Sequence, residues 1–228
     1  MPDETALWIG RGQHEVEMDK FADAAASYAR VIAKRPLQDE HYEYGCLLLL
    51  LDDDARYQEF CRETFDRTGE PQDGYDAYVA ARLYGLGPSD CVKMEHLVDW
   101  AELAARDRRG WQVRALALAY LRAGRYPEAI ALYKKMIPSD RSLGADHGES
   151  WFGLAIANHK QGDDVEAQHC LAQGRIALER ARPKSEGAQT GVSLPSQWLL
   201  ISVMAREAEA LLAPPAPTNP PGPVPDGK

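Results

Sequence analysis

The sequence predicts an all-α protein of stacked helical hairpins, and three observations carry that prediction. Residues Trp111 to Ile137, WQVRALALAYLRAGRYPEAIALYKKMI, read as two short helices meeting at one glycine. Comparable stretches occur at 6–36 and 149–180. A single amphipathic segment, 195–213, follows the last of them, as a stack of hairpins requires to cover an open end.

In the first half of 111–137, Val113, Leu116, Ala117 and Tyr120 recur at helical spacing; in the second, Tyr126, Ala129, Ile130, Tyr133 and Met136 do so. Gly124 stops the first helix, and Pro127 and Glu128 open the next. Ala117 and Ala129 let two antiparallel helices approach closely, while Tyr120 and Tyr133 fill the space beside them. A bulky residue at Ala129 is expected to damage the fold.

These residues resemble the tetratricopeptide repeat, whose 34-residue pattern is W-x2-L-G-x2-Y, A-x3-F, P. Here it appears as Val113-x2-Leu116-Ala117-x2-Tyr120 and Ala129-x3-Tyr133, with the tryptophan replaced by valine and the final proline absent. A second copy has Trp8, Gly12, Phe21, Ala24-x3-Tyr28 and Pro36. There Arg11 and Glu15 replace the family's leucine and tyrosine, as suits an outermost repeat facing water. A third copy has Trp151-x2-Leu154-Ala155, a turn at Gly162 and Ala167-x3-Leu171, after a short insertion in PSDRSLGADHGE.

Trp8 and Val113 lie about three periods apart, so two degenerate repeats are expected between them. One places a helix over Tyr42–Leu51, an acidic turn at Asp52–Asp54, and a helix carrying Tyr57, Phe60, Cys61 and Phe65. The other places a helix over Tyr75–Tyr84, a GLGPSD turn, and a helix carrying Val92, His96, Leu97, Trp100 and Ala101. The resemblance therefore implies a right-handed α-solenoid over 1–182, with repeats at about 5–38, 39–72, 73–108, 110–143 and 148–181. A flexible connector is expected at 183–194 and a capping helix at 195–213, with Trp198, Leu199, Ile201, Met204, Ala208 and Leu211–Leu212 as its stripe. The Pro-rich 214–228 is expected to be disordered. More narrowly, the order of repeats looks like helical-repeat modules attached to bacterial serine/threonine kinases and beta-propeller proteins.

The net charge of −9 argues against nucleic acid as a partner, since phosphate neutralisation needs an excess of clustered Lys and Arg. The longest apolar run, Gly45 to Leu51, is short of a membrane span, and MPDETALW does not read as a signal peptide. Cys46, Cys61, Cys91 and Cys170 form no C-x2-C pair and read as buried thiols of a reduced, cytoplasmic protein.

Catalytic patterns are incomplete. His14-Glu15 starts a zinc-protease motif but Met18 occupies the second histidine position, and Gly10-x-Gly12 lacks its third glycine and reads as hairpin packing. The Asp52–Asp54 run reads as a solvated turn. His169 reads as surface and Cys170 as core, and Trp8, Trp100, Trp151 and Trp198 as core. No catalytic residue, cofactor or metal is implied.

The remaining chemistry is binding. In the family the first helix of each hairpin lines a concave groove; by that resemblance Trp111, Arg114, Leu118, Leu121 and Arg122 would line it in the fourth repeat, and Phe152, Ile156, His159 and Lys160 in the fifth. The alternative places Leu118 and Ile156 in the core between repeats. Cations beside Trp111 and Phe152 would suit an acidic protein or peptide with apolar anchors. Ile9 and Gln13 stand where chaperone-binding members place their carboxylate clamp. Reversing Arg114 and Arg122 to glutamate is expected to abolish partner capture while leaving helicity unchanged. Docking of a kinase domain, or self-association through the end faces, are the alternative roles.

Overall fold

The computed structural model describes residues 4–33, 35–88, 90–107, 110–137, 147–182 and 195–213. The expected connector at 183–194 and Pro-rich tail at 214–228 lie outside these residues, as does most of the expected insertion before the fifth repeat. The described residues form an α-solenoid of five antiparallel helix pairs and one further helix. The pairs are α1 (Glu4–Glu17) with α2 (Phe21–Ile32), α3 (Asp39–Leu50) with α4 (Asp54–Thr68), and α5 (Gly74–Gly85) with α6 (Met94–Ala104). They continue with α7 (Gly110–Arg122) and α8 (Tyr126–Met136), then α9 (Gly148–Lys160) and α10 (Asp164–Ala181), and the last helix is α11 (Pro195–Leu212). None of these helices is long and apolar enough to cross a membrane.

Four of the hairpins turn in the same way. The backbone N–H of Lys20, Asp53, Arg125 and Asp163 each bonds the carbonyl five residues back, at Glu15, Leu48, Tyr120 and Asn158, with N···O distances of 2.9, 3.0, 2.9 and 2.9 Å. That bond requires the preceding residue to be left-handed, and Asp19, Asp52, Gly124 and Gly162 have φ of 56°, 60°, 72° and 85°. Glycine adopts this conformation without steric cost, whereas the two aspartates are tolerated there at some strain. The acidic turn is therefore built and not merely solvated: Asp52 bends the chain and Asp53 caps α4 by accepting from the Arg56 N–H at 3.1 Å. Asp163 caps α10 equivalently through the Glu166 N–H, and Pro127 sits in the first turn of α8.

Small residues under aromatic rings set the hairpin crossings. A Cβ at Gly12 would lie 2.9 Å from the Tyr28 ring, so Gly12 is indeed a packing glycine, while Gly10 has open space. Two expectations change. Glu15 does not face water: it is buried, accepting from the Ser27 hydroxyl at 2.6 Å and from Arg11 at 2.7 Å. Val92 is buried but precedes α6.

Cys46, Cys61 and Cys170 are buried, Cys91 is half-buried, and all four are free thiols. Burial pushes the Cys170 thiol up to about 12. Trp100 and Trp198 are buried, but Trp8 and Trp151 are half-exposed, and Trp8 carries the Arg30 guanidinium at 4.2 Å from its ring centre.

His41, at the start of α3, is 1% exposed, with Nδ1 3.2 Å from the Gln38 carbonyl and Nε2 3.2 Å from Arg67 Nη2. Burial and the Arg67 cation push its pKa from 6.5 down to about 4. The unfolded chain takes up a proton near pH 6.5 that the folded chain refuses until about 4. Stability from His41 is therefore complete above about pH 6.5 and is lost as pH falls toward 4, by roughly 2 kcal/mol at pH 5. Urea unfolding between pH 7 and 5 should show that loss, and His41→Gln should flatten it.

Candidate interaction groove

The first helices α3, α5, α7 and α9 pack side by side, and this row is the inner wall where sequence places a groove. Four of its predicted lining residues are fully packed: Leu118, Leu121, Phe152 and Ile156 are 0, 4, 0 and 2% exposed. Leu118 presses on Gly85 of α5, where an added Cβ would meet it at 3.3 Å, and the Phe152 ring covers Gly174 of α10, where an added Cβ would lie 2.7 Å from it. Phe152 is therefore not an exposed aromatic, and Leu118 and Ile156 sit in the core. Trp111 is half-buried, edge-on to Tyr78 of α5 at 4.4 Å between ring centres.

The two arginines are structural as well. Arg122 donates from Nε to the Gly85 carbonyl at 2.7 Å and from Nη2 to the Leu86 carbonyl at 2.8 Å, satisfying the end of α5. It also grips both carboxylate oxygens of Glu207 at 2.6 and 2.7 Å. Arg114 lies 3.7 Å from the buried carboxylate of Glu149. Charge reversal at these positions would thus break folding contacts, and unchanged helicity is no longer expected. His159 pairs with Asp164 at 2.7 Å, and Lys160 is exposed beside it at the α9–α10 turn.

What fills the inner wall is α11. It packs on α9, α10, α3 and α1, three of them first helices, and reaches α7 through Glu207 and Arg122. Trp198, Leu199, Leu200 and Ile201 are four consecutive residues at 8, 0, 0 and 0% exposure, so this part of the helix is covered on every side. Ile201 meets Gly148 at the start of α9, and the Trp198 ring lies 5.9 Å from Phe21. α11 does more than cap an open end: it packs across the first helices α1, α3 and α9 and so joins the first hairpin to the last.

Arginines tie this arrangement at its edge. Arg206 of α11 donates to the Leu49 and Leu50 carbonyls at the end of α3, at 3.0 and 2.8 Å, and pairs with Asp52. Arg182, just past α10, pairs with Asp19. Both left-handed turn aspartates therefore also receive a cation from the C-terminal part of the chain, a use a turn glycine could not supply.

Sequence reading did not single out Arg82, Glu149, Arg206 or Glu207. Arg82 and Glu149 form a buried pair at 2.8 Å, 3 and 1% exposed, linking α5 to α9. The signal available was a lone cation inside the apolar run YVAARLYG. Arg206 and Glu207 carried none, because they read as the polar face of an amphipathic helix. Among the described residues, no group of three or more His, Cys, Asp or Glu side chains is arranged to hold a metal ion.

A family comparison covers the best-patterned part of this wall. Residues 101–143 and 114–172 match the tetratricopeptide repeat. The two tetratricopeptide matches overlap and span about a third of the chain, from α6 into α10. No curated protein matches the sequence. Among solved structures, MamA MSR-1 C2 aligns at 17% identity over 77% of this chain and 97% of that one, with a TM-score of 0.39. The crystal structure of MamA protein aligns at 14% identity over 82% and 99%, with a TM-score of 0.38.

Proposed function

We propose that this chain is a non-enzymatic protein-interaction module whose concave groove receives an amphipathic helix. The observation that carries the reading is α11 itself, an 18-residue helix seated along the first helices with its apolar side buried and its charges paired at the rim. A wall that fits one amphipathic helix has the shape and chemistry to fit another, which is the helix-in-groove mode of recognition. The tetratricopeptide match over the fourth and fifth hairpins supports the same class of role. A helix borne by a signalling kinase would be one such partner.

The acidic partner expected from sequence is retained in altered form. Arg122 is the cation that an incoming carboxylate would meet, but it is the Glu207 contact, not an empty groove, that reveals it. Because α11 is tethered, it competes at an effective concentration on the order of millimolar, and partner affinity is lowered accordingly.

Affinity capture with the intact chain in its native extract tests the reading. Saturating synthetic peptide of residues 195–213 should release the captured partner. A partner retained undiminished would place its contact outside the groove.

A further inference from the structure

We infer that the groove selects helices by an aromatic anchor followed eight and nine residues later by a basic residue and then an acidic one, and that α11 is the copy of this ligand that the chain supplies to itself. The inference rests on the helix-receiving groove proposed above and specifies the partner's chemistry.

The aromatic is Trp198, tilted against Phe21 of the first hairpin at 5.9 Å between ring centres, with Leu50 and Leu178 lining the same cleft. Eight residues on, Arg206 meets the last carbonyls of α3 and the Asp52 carboxylate. That site is doubly negative, since a helix C-terminus carries a partial negative charge and a carboxylate stands beside it. Nine residues on, Glu207 meets Arg122, whose other N–H groups are already committed to the carbonyls ending α5. Arg122 is thereby held in place as a fixed fork for one carboxylate.

The two sites lie at the ends of neighbouring first helices and read adjacent ligand residues of opposite sign. A helix with the order reversed would set a carboxylate against Asp52 and the α3 carbonyls, and a cation against Arg122. The same repulsion rejects a helix docked in the opposite direction, so the pair fixes both register and polarity.

Three features make α11 exchangeable. Two of its ion pairs lie at the water: the Arg206 and Asp52 side chains are 45 and 79% exposed, and those of Arg175 and Glu209 57 and 46%, whereas Arg122 and Glu207 are 15 and 30% exposed. Its flanks are incompletely packed. A cavity of about 430 Å³ opens along the seam with the first hairpin, lined by Phe21, Leu50, Leu178 and Trp198, and one of about 480 Å³ opens beside Arg122 and Glu207. Finally, α11 belongs to none of the five pairs, so its departure unpairs no hairpin.

The test uses the intact chain and a fluorescent peptide of residues 195–213. Arg206→Ala/Glu207→Ala weakens the resident helix and leaves Arg122, Asp52 and the α3 terminus able to read the peptide. Binding should be at least tenfold tighter to this variant than to the unaltered chain, and a peptide with Arg206 and Glu207 exchanged in order should lose that gain. Equal binding of both peptides to the variant overturns the charge code while leaving the helix-receiving groove intact. No binding of either peptide overturns the code together with the groove reading. If the double variant does not fold, hydrogen exchange of the unaltered chain decides. Amides of α11 exchanging well ahead of those in α9 support an exchangeable ligand, and exchange in step with α9 overturns it.

Discussion

Arg82→Met is expected to cost about 3–5 kcal/mol of stability, the usual penalty for stranding one member of a buried ion pair. The Arg82 Nη1 lies 2.8 Å from Glu149 Oε1 with both side chains essentially sealed from water, and its guanidinium sits 5.6 Å from the ring centres of both Tyr42 and Tyr78. Without it, Glu149 has Arg114 at 3.7 Å and the partial positive charge at the start of α9. Loss of that much free energy should lower the melting temperature by roughly 10 °C in a chain of this size. Arg82→Met/Glu149→Leu should recover most of the loss, because the desolvation penalty of both ions disappears with them. Equal melting of the unaltered chain and the single variant would show that the pair contributes nothing.

The pair also has an architectural meaning. In an extended stack each repeat touches only its neighbours. Arg82 belongs to the third hairpin and Glu149 to the fifth, so their contact requires a curvature that brings alternate first helices together. The same curvature narrows the inner wall until one helix fills it.

Gly153→Val should have the second large effect, about 3 kcal/mol, at the upper end of the usual cost of overpacking. A Cβ there would lie 2.4 Å from Cε2 and Cζ of Tyr133, a ring that is 0% exposed. Either α8 and α9 separate or the ring leaves its rotamer. Combining the change with Tyr133→Leu should return a substantial part of the loss, giving a coupling energy on the order of 1–3 kcal/mol for residues in direct contact. Urea denaturation of the two single variants and the double variant measures it. Additive losses would show that the ring and the glycine do not share the same space.

The hairpins themselves were legible because their signals are local. Helical periodicity, a left-handed residue at the turn and an Asp or Pro at the next helix start act within about six residues, and sequence order displays them directly. The turns at Asp52, Gly124 and Gly162 were readable for that reason. Tyr133 was readable too, as one position of a repeating pattern; its partner Gly153 was not, since only the stacking of α8 on α9 brings them together.

Burial could be inferred from sequence more easily than address. The apolar stripe of α11 says that a face of the helix is covered, and the 195–213 segment was rightly read as a helix, but a stripe cannot say which of several apolar walls covers it. Arg122 and Phe152 illustrate the same limit: their residue types suited a binding surface, while their partners, Glu207 and Gly174, lie 85 and 22 residues away in the chain. Sequence alone determined the helices, their pairing into hairpins and the class of the fold. The tertiary structure alone decided that the chain's own last helix packs across the row of first helices, because that depends on curvature summed over the four interfaces between hairpins.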